Sequence, residues 1–228
     1  MTRVEMLRER WKSMRPLTRQ YGAVILGAAI AAMAARSCLI ETFRIPTDSM
    51  RPGILRGDMI AVDKWTYGLR PPGFAERWTS GRSPEPGDVV VYSGADGGSY
   101  LKRVVGAPGD TVGLLQGHVY LNGKALEFQP LDGRCGRENH PRAGAYAICL
   151  DGQPADDMAP ATVAPGYVFL APDSRERGAS DDPGGMIPLS RIVGRARWIW
   201  LSLEPRGPAD SAQGFPAFRL DRMFHRVL

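Results

Sequence analysis

The chain has few of the residues on which metal, redox or nucleic-acid chemistry depends. Its three histidines, His118, His140 and His225, have no companions at triad-like or metal-ligand spacing, and only three cysteines occur in 228 residues. The formal net charge is a modest +5, and no basic stripe is interleaved with aromatic side chains. The composition therefore argues against a nucleic-acid partner and gives no sign of a metal site.

Long apolar runs are also scarce, and only one is present. Residues 21–40 hold a single charge, Arg36, and their 20 positions suffice for one membrane span. Residues 1–20 carry six Lys or Arg against two Glu, which predicts a cytoplasmic N-terminal tail and an extracytoplasmic remainder. A cleaved signal peptide is the alternative, because residues 32–34 form a small-x-small pattern. We favour the uncleaved anchor, since the candidate site begins only ten residues after Ser37.

Glycine and proline, by contrast, are abundant, with 27 Gly and 19 Pro placed mostly beyond residue 50. Frequent glycine and proline residues favour short strands and turns over long helices. Strands are predicted where β-branched and aromatic runs lie between turn residues, at residues 59–62, 89–92, 100–105, 111–112, 118–121, 167–170, 192–196 and 198–201. Asn122-Gly123 predicts a hairpin turn. Residues 124–165 are expected to be irregular and to form most of a small inserted lobe, at about 116–165.

The stretch IPTDSMRP, residues 45–52, closely follows the apolar run and opens the part of the chain predicted to fold. Pro46 and Pro52 fix φ and bias the residues before them toward extended geometry, which would hold Ser49 in one orientation. Serine is a poor nucleophile unless a base lies within hydrogen-bond reach. Taken alone, the stretch is more typical of a proline-bounded surface turn in which Ser49 has no role.

Lys102 is the candidate base, because it lies within the Val- and Leu-rich strand predicted at residues 100–105. Side chains alternate along a strand, so Lys102 points opposite to Leu101 and Arg103. A lysine on an inward face is costly unless it loses its proton or finds a partner, and burial lowers the pKa of a lysine toward neutrality. A lysine that points to solvent from an edge strand is the commoner arrangement.

Together these stretches resemble the bacterial type I signal peptidases. The family patterns are Ile-Pro-Ser/Thr-x-Ser-Met-x-Pro, then Gly-Asp with Lys-aromatic-x-Tyr-Gly, then Lys-Arg-Val/Ala-Val-Gly-x-Pro-Gly-Asp. They match, in this order, residues 45–52, residues 57–58 with 64–68, and residues 102–110. The resemblance covers most of residues 41–112 and 167–196 and leaves the middle lobe unmatched.

The resemblance implies a mostly β fold, with an antiparallel, barrel-like peptidase domain over residues 41–228 behind one transmembrane helix. It implies a Ser/Lys endopeptidase in which Ser49 is the nucleophile and Lys102 the general base. The hydroxyl of Thr47 and the backbone N–H of Ser49 would bind the oxyanion. The implied substrates are signal peptides of exported proteins, with small residues at the first and third positions before the cut. Membrane lipid is the other expected partner of this inner-membrane monomer, and no cofactor or metal is implied.

Residues 171–182, APDSRERGASDD, depart from the family's last box. Without a gap, the serine that helps to orient the lysine corresponds to Gly178, and a shift of two gives Ser180. We favour Ser180, because a buried amine needs an acceptor. The divergence leaves open a specialised peptidase of the pilin or conjugation type. It also leaves open an inactive, membrane-anchored binding module with the same fold.

The three cysteines fall into two regions of the chain. Cys38 lies at the end of the apolar run, whereas Cys135 and Cys149 lie in the unmatched, Gly-rich lobe. Two cysteines do not make a disulfide framework, and two free thiols are the alternative. Export to an oxidising compartment favours pairing. We therefore predict a Cys135–Cys149 disulfide that leaves Cys38 out.

Overall fold

The computed structural model divides the chain into two compact units, residues 1–39 and 40–228. It describes residues 21–22, 24–28, 40–68, 78–132, 134–150, 152–179, 182–204 and 217–227. In the first unit, residues 21–22 and 24–28 are helical. Within the described ranges, no helix has the length and apolar character needed to cross a membrane. Most of the predicted span, with Cys38, lies outside the described residues.

The second unit consists mainly of short strands, as the density of turn residues predicts. Its strands are β1 Ile40–Arg44, β2 Asp58–Asp63, β3 Val89–Ser93, β4 Ser99–Gly106, β5 Thr111–Leu115, β6 His118–Leu121, β7 Lys124–Ala125, β8 Glu127–Asp132, β9 Cys135–His140, β10 Gly144–Cys149, β11 Met158–Thr162, β12 Tyr167–Ala171, β13 Gly185–Pro188, β14 Ile192–Ser202 and β15 His225–Arg226. Two 3-10 helices, Leu189–Arg191 and Leu220–Arg222, accompany them. The predicted mostly β class is confirmed.

The largest sheet has eight strands in the order β1-β2-β14-β3-β4-β12-β13, with β15 paired to β14. Every pairing in it is antiparallel. Along β2 buried and half-buried residues alternate, with Ile60 and Val62 inside, whereas Val89–Tyr92 of β3 are buried on both faces. Because β3 and β4 lie at the centre of the sheet, side chains on either of their faces are shielded from solvent.

Two smaller sheets are β11-β5-β6-β7 and β10-β9-β8, and five of their strands, β7 to β11, lie in the segment 124–165 that was expected to be irregular. That expectation was wrong, and the residues of β9 show why. Its buried positions are Gly136, Glu138 and His140, so the strand lacks the alternation of apolar side chains by which a half-buried strand is recognised. The predicted Asn122-Gly123 turn does join two strands, β6 and β7.

The strand prediction also differs from the large sheet in other places, and β13 and β15 were not predicted. Residues 192–196 and 198–201 were predicted as separate strands but form one, β14. Its register on β2 shifts between Ala196 and Trp198 and again between Ile199 and Leu201. Such bulges bend a strand, which allows β14 to pair with β2, β3 and β15. Strand β1 was not predicted at all, because it directly follows the apolar run.

Candidate active site

Ser49 lies in a turn that is embedded in the core. The chain is held extended at Ile45, whose N–H donates to the Asp58 carbonyl (2.9 Å) and whose carbonyl accepts from Gly57 N–H (2.9 Å). Beyond Pro46 the chain bends and turns at residues 47–50, so the extended geometry predicted around Ser49 is wrong. Met50 is fully buried and its carbonyl accepts from Ile54 N–H, which draws the turn inward. Ser49 is consequently only 4% exposed.

The Gly57-Asp58 pair closes the loop that follows Ser49. Gly57 has φ +90°, and a Cβ there would lie 2.0 Å from the Leu203 carbonyl oxygen, so a larger residue does not fit. The buried Asp58 carboxylate accepts hydrogen bonds from Leu55 N–H (2.9 Å) and Ser202 Oγ (2.6 Å). It also forms ion pairs with Arg219 and Arg222 at 3.2 and 2.7 Å. This part of the sequence pattern thus has a structural role.

Lys102 lies at the middle of β4 and is 1% exposed, which excludes the alternative of a solvent-facing lysine. On one side, β4 pairs with β3 from Ser99 to Arg103. On the other side, β12 pairs only from Arg103 onward. Among the described residues, no strand pairs with positions 99–102 of β4 on that second side. The pairing of β4 with β12 therefore begins only after Lys102.

One small pocket of about 90 Å³ brings the predicted residues together. Thr47, Ser49 and Lys102 all line it, with apolar walls from residues that include Phe43, Ile45, Val91 and Leu101. Thr47 Oγ1 lies 3.2 Å from Ser49 Oγ, with the geometry of a hydrogen bond donated by Thr47. Residues 53 positions apart in sequence, Ser49 and Lys102, thus face one cavity.

Of the two candidates for the lysine-orienting residue, Gly178 does not line this pocket. Gly178 is exposed and lines a second cleft together with Thr47 and Asp48. Ser180 lies outside the described residues. A neighbouring residue, the buried Ser174, does contact the candidate nucleophile, because its N–H donates to the Ser49 carbonyl at 3.0 Å.

A buried ion pair adjoins Lys102, and sequence reasoning missed it. Arg103 and Asp173 are both buried and form two hydrogen bonds, at 2.8 Å from Nε and 2.6 Å from Nη2. Burial alone would lower the pKa of Arg103, but the Asp173 carboxylate raises it above its ordinary value. The pair joins β4 to the segment that follows β12. Its partners are 70 positions apart, so no local pattern could reveal it.

A second buried pair continues this network into the small sheet. The guanidinium of Arg175 lies 3.1 Å from the Glu138 carboxylate, and Tyr146 donates to the same carboxylate at 2.7 Å. The Arg103 guanidinium lies over the Tyr146 ring, 4.4 Å from its centroid. Buried side chains of β9 and β10 thus pack through an ion pair, a hydrogen bond and a cation–aromatic contact. In most sheets these buried positions hold apolar side chains.

The predicted disulfide between Cys135 and Cys149 is confirmed. The two residues are opposite each other on β9 and β10, with 4.0 Å between their Cα atoms. Cys149 N–H donates to the Asp173 carbonyl (3.0 Å), and its carbonyl accepts from Arg175 N–H (2.9 Å). Since Ser174 in turn donates to Ser49, one series of backbone bonds connects the disulfide with the candidate nucleophile.

Comparison with known proteins identifies the family. A profile described as "Signal peptidase, peptidase S26" matches residues 18–201. Signal peptidase I of Pseudomonas fluorescens is 30% identical over 221 residues, covering 84% of this chain and 75% of that protein. Signal peptidase I of Pseudomonas aeruginosa is 31% identical over 217 residues (82% and 74%), and that of Rickettsia typhi is 27% identical over 228 residues (87% and 86%). The chain therefore belongs to the peptidase S26 family of signal peptidases.

Proposed function

We propose that the protein removes N-terminal signal peptides from exported proteins, with Ser49 as nucleophile and Lys102 as general base. The observation that carries this proposal is the small pocket lined by both residues in a chain of the signal peptidase family. The presence of Ser49, Lys102 and Thr47 in that pocket also argues against the inactive binding module.

The burial of Lys102 supports its proposed role as a base. An apolar environment disfavours the charged form of an amine, and a neutral amine can accept the Ser49 hydroxyl proton. Ser49 Oγ then bonds to the carbonyl carbon of the scissile peptide, and the proton passes from Lys102 to the leaving amine. Water, deprotonated by the same amine, hydrolyses the acyl-enzyme and restores the serine.

Thr47 and the backbone N–H of Ser49 are the proposed oxyanion donors. The Thr47 hydroxyl lies 3.2 Å from Ser49 Oγ, so it is close to the point at which negative charge develops on the substrate oxygen. Donors aimed at that charge stabilise the transition state more than the bound substrate. One such donor typically contributes a factor of about 100 to 1,000 in rate.

The dimensions of the pocket support a preference for small residues before the cut. A cavity of about 90 Å³ with apolar walls has room for a methyl side chain such as that of alanine. The pocket would thus restrict the substrate side chain that enters it.

A specialised peptidase is the second candidate function. The observation that favours it is the departure of residues 171–182 from the family's last box. A panel of unrelated signal-peptide reporters separates a general from a specialised peptidase, because a specialised enzyme cleaves few of them.

We further propose a single N-terminal anchor at residues 21–40, with residues 1–20 in the cytoplasm and the catalytic unit outside it.

The test is cleavage of a signal-peptide reporter by the detergent-solubilised full chain. We expect cleavage after a small residue by the wild type and none by Ser49→Ala, with the cut site read by N-terminal sequencing of the product. Ser83→Ala is the matched control, because Ser83 is exposed and does not line the pocket. Full activity of Ser49→Ala would overturn the proposed nucleophile.

A further inference from the structure

A second, larger cleft of about 440 Å³ adjoins the catalytic pocket. The two cavities share Pro46 and Thr47, so they meet at this segment. Lys102 lines only the small pocket, whereas Glu176 and Arg177 line only the larger cleft. The larger cleft is therefore a space beside Thr47 that a peptide leaving the small pocket can enter.

The larger cleft is strongly polar, and positive charge predominates on its lining. It carries three arginines, Arg51, Arg56 and Arg177, and two acidic residues, Asp48 and Glu176. Both acids already accept hydrogen bonds within the chain. Asp48 Oδ1 accepts from the backbone N–H of Arg56 at 3.1 Å, and Glu176 Oε1 accepts from the Ser174 hydroxyl at 3.3 Å.

Arg56 is a cation well placed to meet a ligand in this cleft. Arg177 is engaged with Asp156. The Arg56 backbone is fixed at both ends, since its N–H bonds to Asp48 and its carbonyl accepts from Arg219 at 2.8 Å. Its side chain is exposed, and no partner of its guanidinium occurs among the described residues. A held backbone with an uncommitted guanidinium suits recognition of a carboxylate.

We propose that this cleft binds the first residues after the scissile bond and that Arg56 makes it prefer an acidic side chain there. The inference rests on the proposed function, because it assumes that Ser49 attacks a peptide running through both cavities. It assigns a second specificity determinant to the enzyme, on the mature side of the cut. Substrates with identical signal peptides would then be processed at rates that depend on the exported protein itself.

The test uses substrates that differ only after the cut, with Glu, Gln or Lys at the first, second or third position. For at least one position we expect kcat/KM of the wild type to be about two- to fivefold higher with Glu than with Lys, the range typical of exposed ion pairs. Arg56→Glu should reverse that order. Arg137→Glu is the matched control, because Arg137 is exposed on β9 and does not line this cleft; it should leave the ratio unchanged.

Two results would overturn the subsite: equal kcat/KM for Glu and Lys substrates at all three positions, or a preference that Arg56→Glu leaves intact. Absence of cleavage of every substrate by the wild type would instead overturn the proposed function, and the subsite with it. If Arg56→Glu does not fold, Arg56→Gln should abolish the preference. A preference that fades in high salt would support the ionic origin.

Discussion

At the scale of single residues, the environment of Lys102 decides what the side chain can do. The same residue on an exposed strand edge would be a hydrated cation with no function as a base. Here both faces of β4 are covered from Leu101 to Gly106, and the amine shares a pocket with a serine hydroxyl. The proposed function of Lys102 as a base thus depends on the folded sheet, and the residue type contributes only the titratable group.

We predict that Ser49→Ala and Lys102→Ala each abolish reporter cleavage and that the double variant is no worse than either, because residues that act as one unit are non-additive. Lys102→Arg should also be inactive, since a guanidinium does not lose its proton in the working range. Lys64→Arg serves as control, because Lys64 forms an ion pair with Glu41 that an arginine can keep. Activity in Lys102→Arg would rule out the general base.

His140 is a buried histidine whose hydrogen bonds require the neutral ring. Nδ1 accepts from the N–H groups of Arg142 and Ala143 at 3.2 Å each, which leaves the proton on Nε2, 3.0 Å from the Val105 carbonyl. Burial lowers the pKa of His140 below its ordinary value of 6.5, although the Val105 carbonyl acts in the opposite direction. Protonation would break the turn that follows β9.

We therefore predict that His140 makes stability fall in mild acid. The unfolded state, with the higher pKa, takes up a proton first, so the contribution is complete above pH 6.5 and is lost as pH falls through that value. Urea unfolding at about pH 8 and about pH 5 measures it. His140→Gln should show a smaller loss than the wild type, whereas His225→Gln, at an exposed position, should lose as much. Equal losses in all three proteins would contradict the assignment.

At the scale of elements, the Arg103–Asp173 pair fastens β4 to the segment whose N–H group holds the Ser49 carbonyl. We predict that Arg103→Met, which leaves Asp173 buried without its counter-charge, costs about 3–5 kcal/mol of unfolding free energy and lowers kcat. Arg177→Met, which removes an exposed pair with Asp156, should cost less than about 1 kcal/mol. Denaturant unfolding measures the loss of unfolding free energy in both variants. Similar small losses would show that the buried pair does not stabilise the contact between β4 and this segment.

The disulfide links the two strands of the β9–β10 hairpin. Closing a loop between Cys135 and Cys149 stabilises by up to about 3 kcal/mol in the chain-entropy model. We predict that Cys149→Ser destabilises this region but leaves most of the activity, because residue 149 holds Asp173 and Arg175 through its backbone. Limited proteolysis and reporter cleavage measure the two effects. Complete inactivation of a folded Cys149→Ser protein would show that the sulfur bridge itself positions Ser49.

At the scale of the whole molecule, the charge of residues 1–20 predicts orientation in the membrane. Six basic side chains against two acidic ones should keep that tail in the cytoplasm. A reporter enzyme fused after residue 228 should then be active only outside the cytoplasm, while residues 1–15 resist added protease in intact cells. A mature N-terminus near Ser37, found by sequencing the purified protein, would favour a cleaved peptide over an anchor.

The sequence was sufficient for the family, the β class and the disulfide, because each depends on residues close together or on a long pattern. It was insufficient where a contact joins distant positions. The strand around Lys102 is visible in its Val-rich neighbours, but its burial depends on β3, whose position in the sheet no local pattern gives. The strands of the small sheet were missed because Glu138 and Arg175, a polar pair, occupy a site that apolar residues usually fill.

The ion pairs of Asp58 join residues that are synthesised far apart in time. Arg219 and Arg222 are 161 and 164 positions after Asp58 in the chain, whereas Ser49 precedes it by nine. On the ribosome, Ser49 therefore emerges long before the two arginines that pair with the Asp58 carboxylate. During synthesis the loop between Ser49 and Asp58 would lack these ion pairs until residues 219–222 have been made. With Ser49 as the proposed nucleophile, the order of translation would delay proteolysis until then.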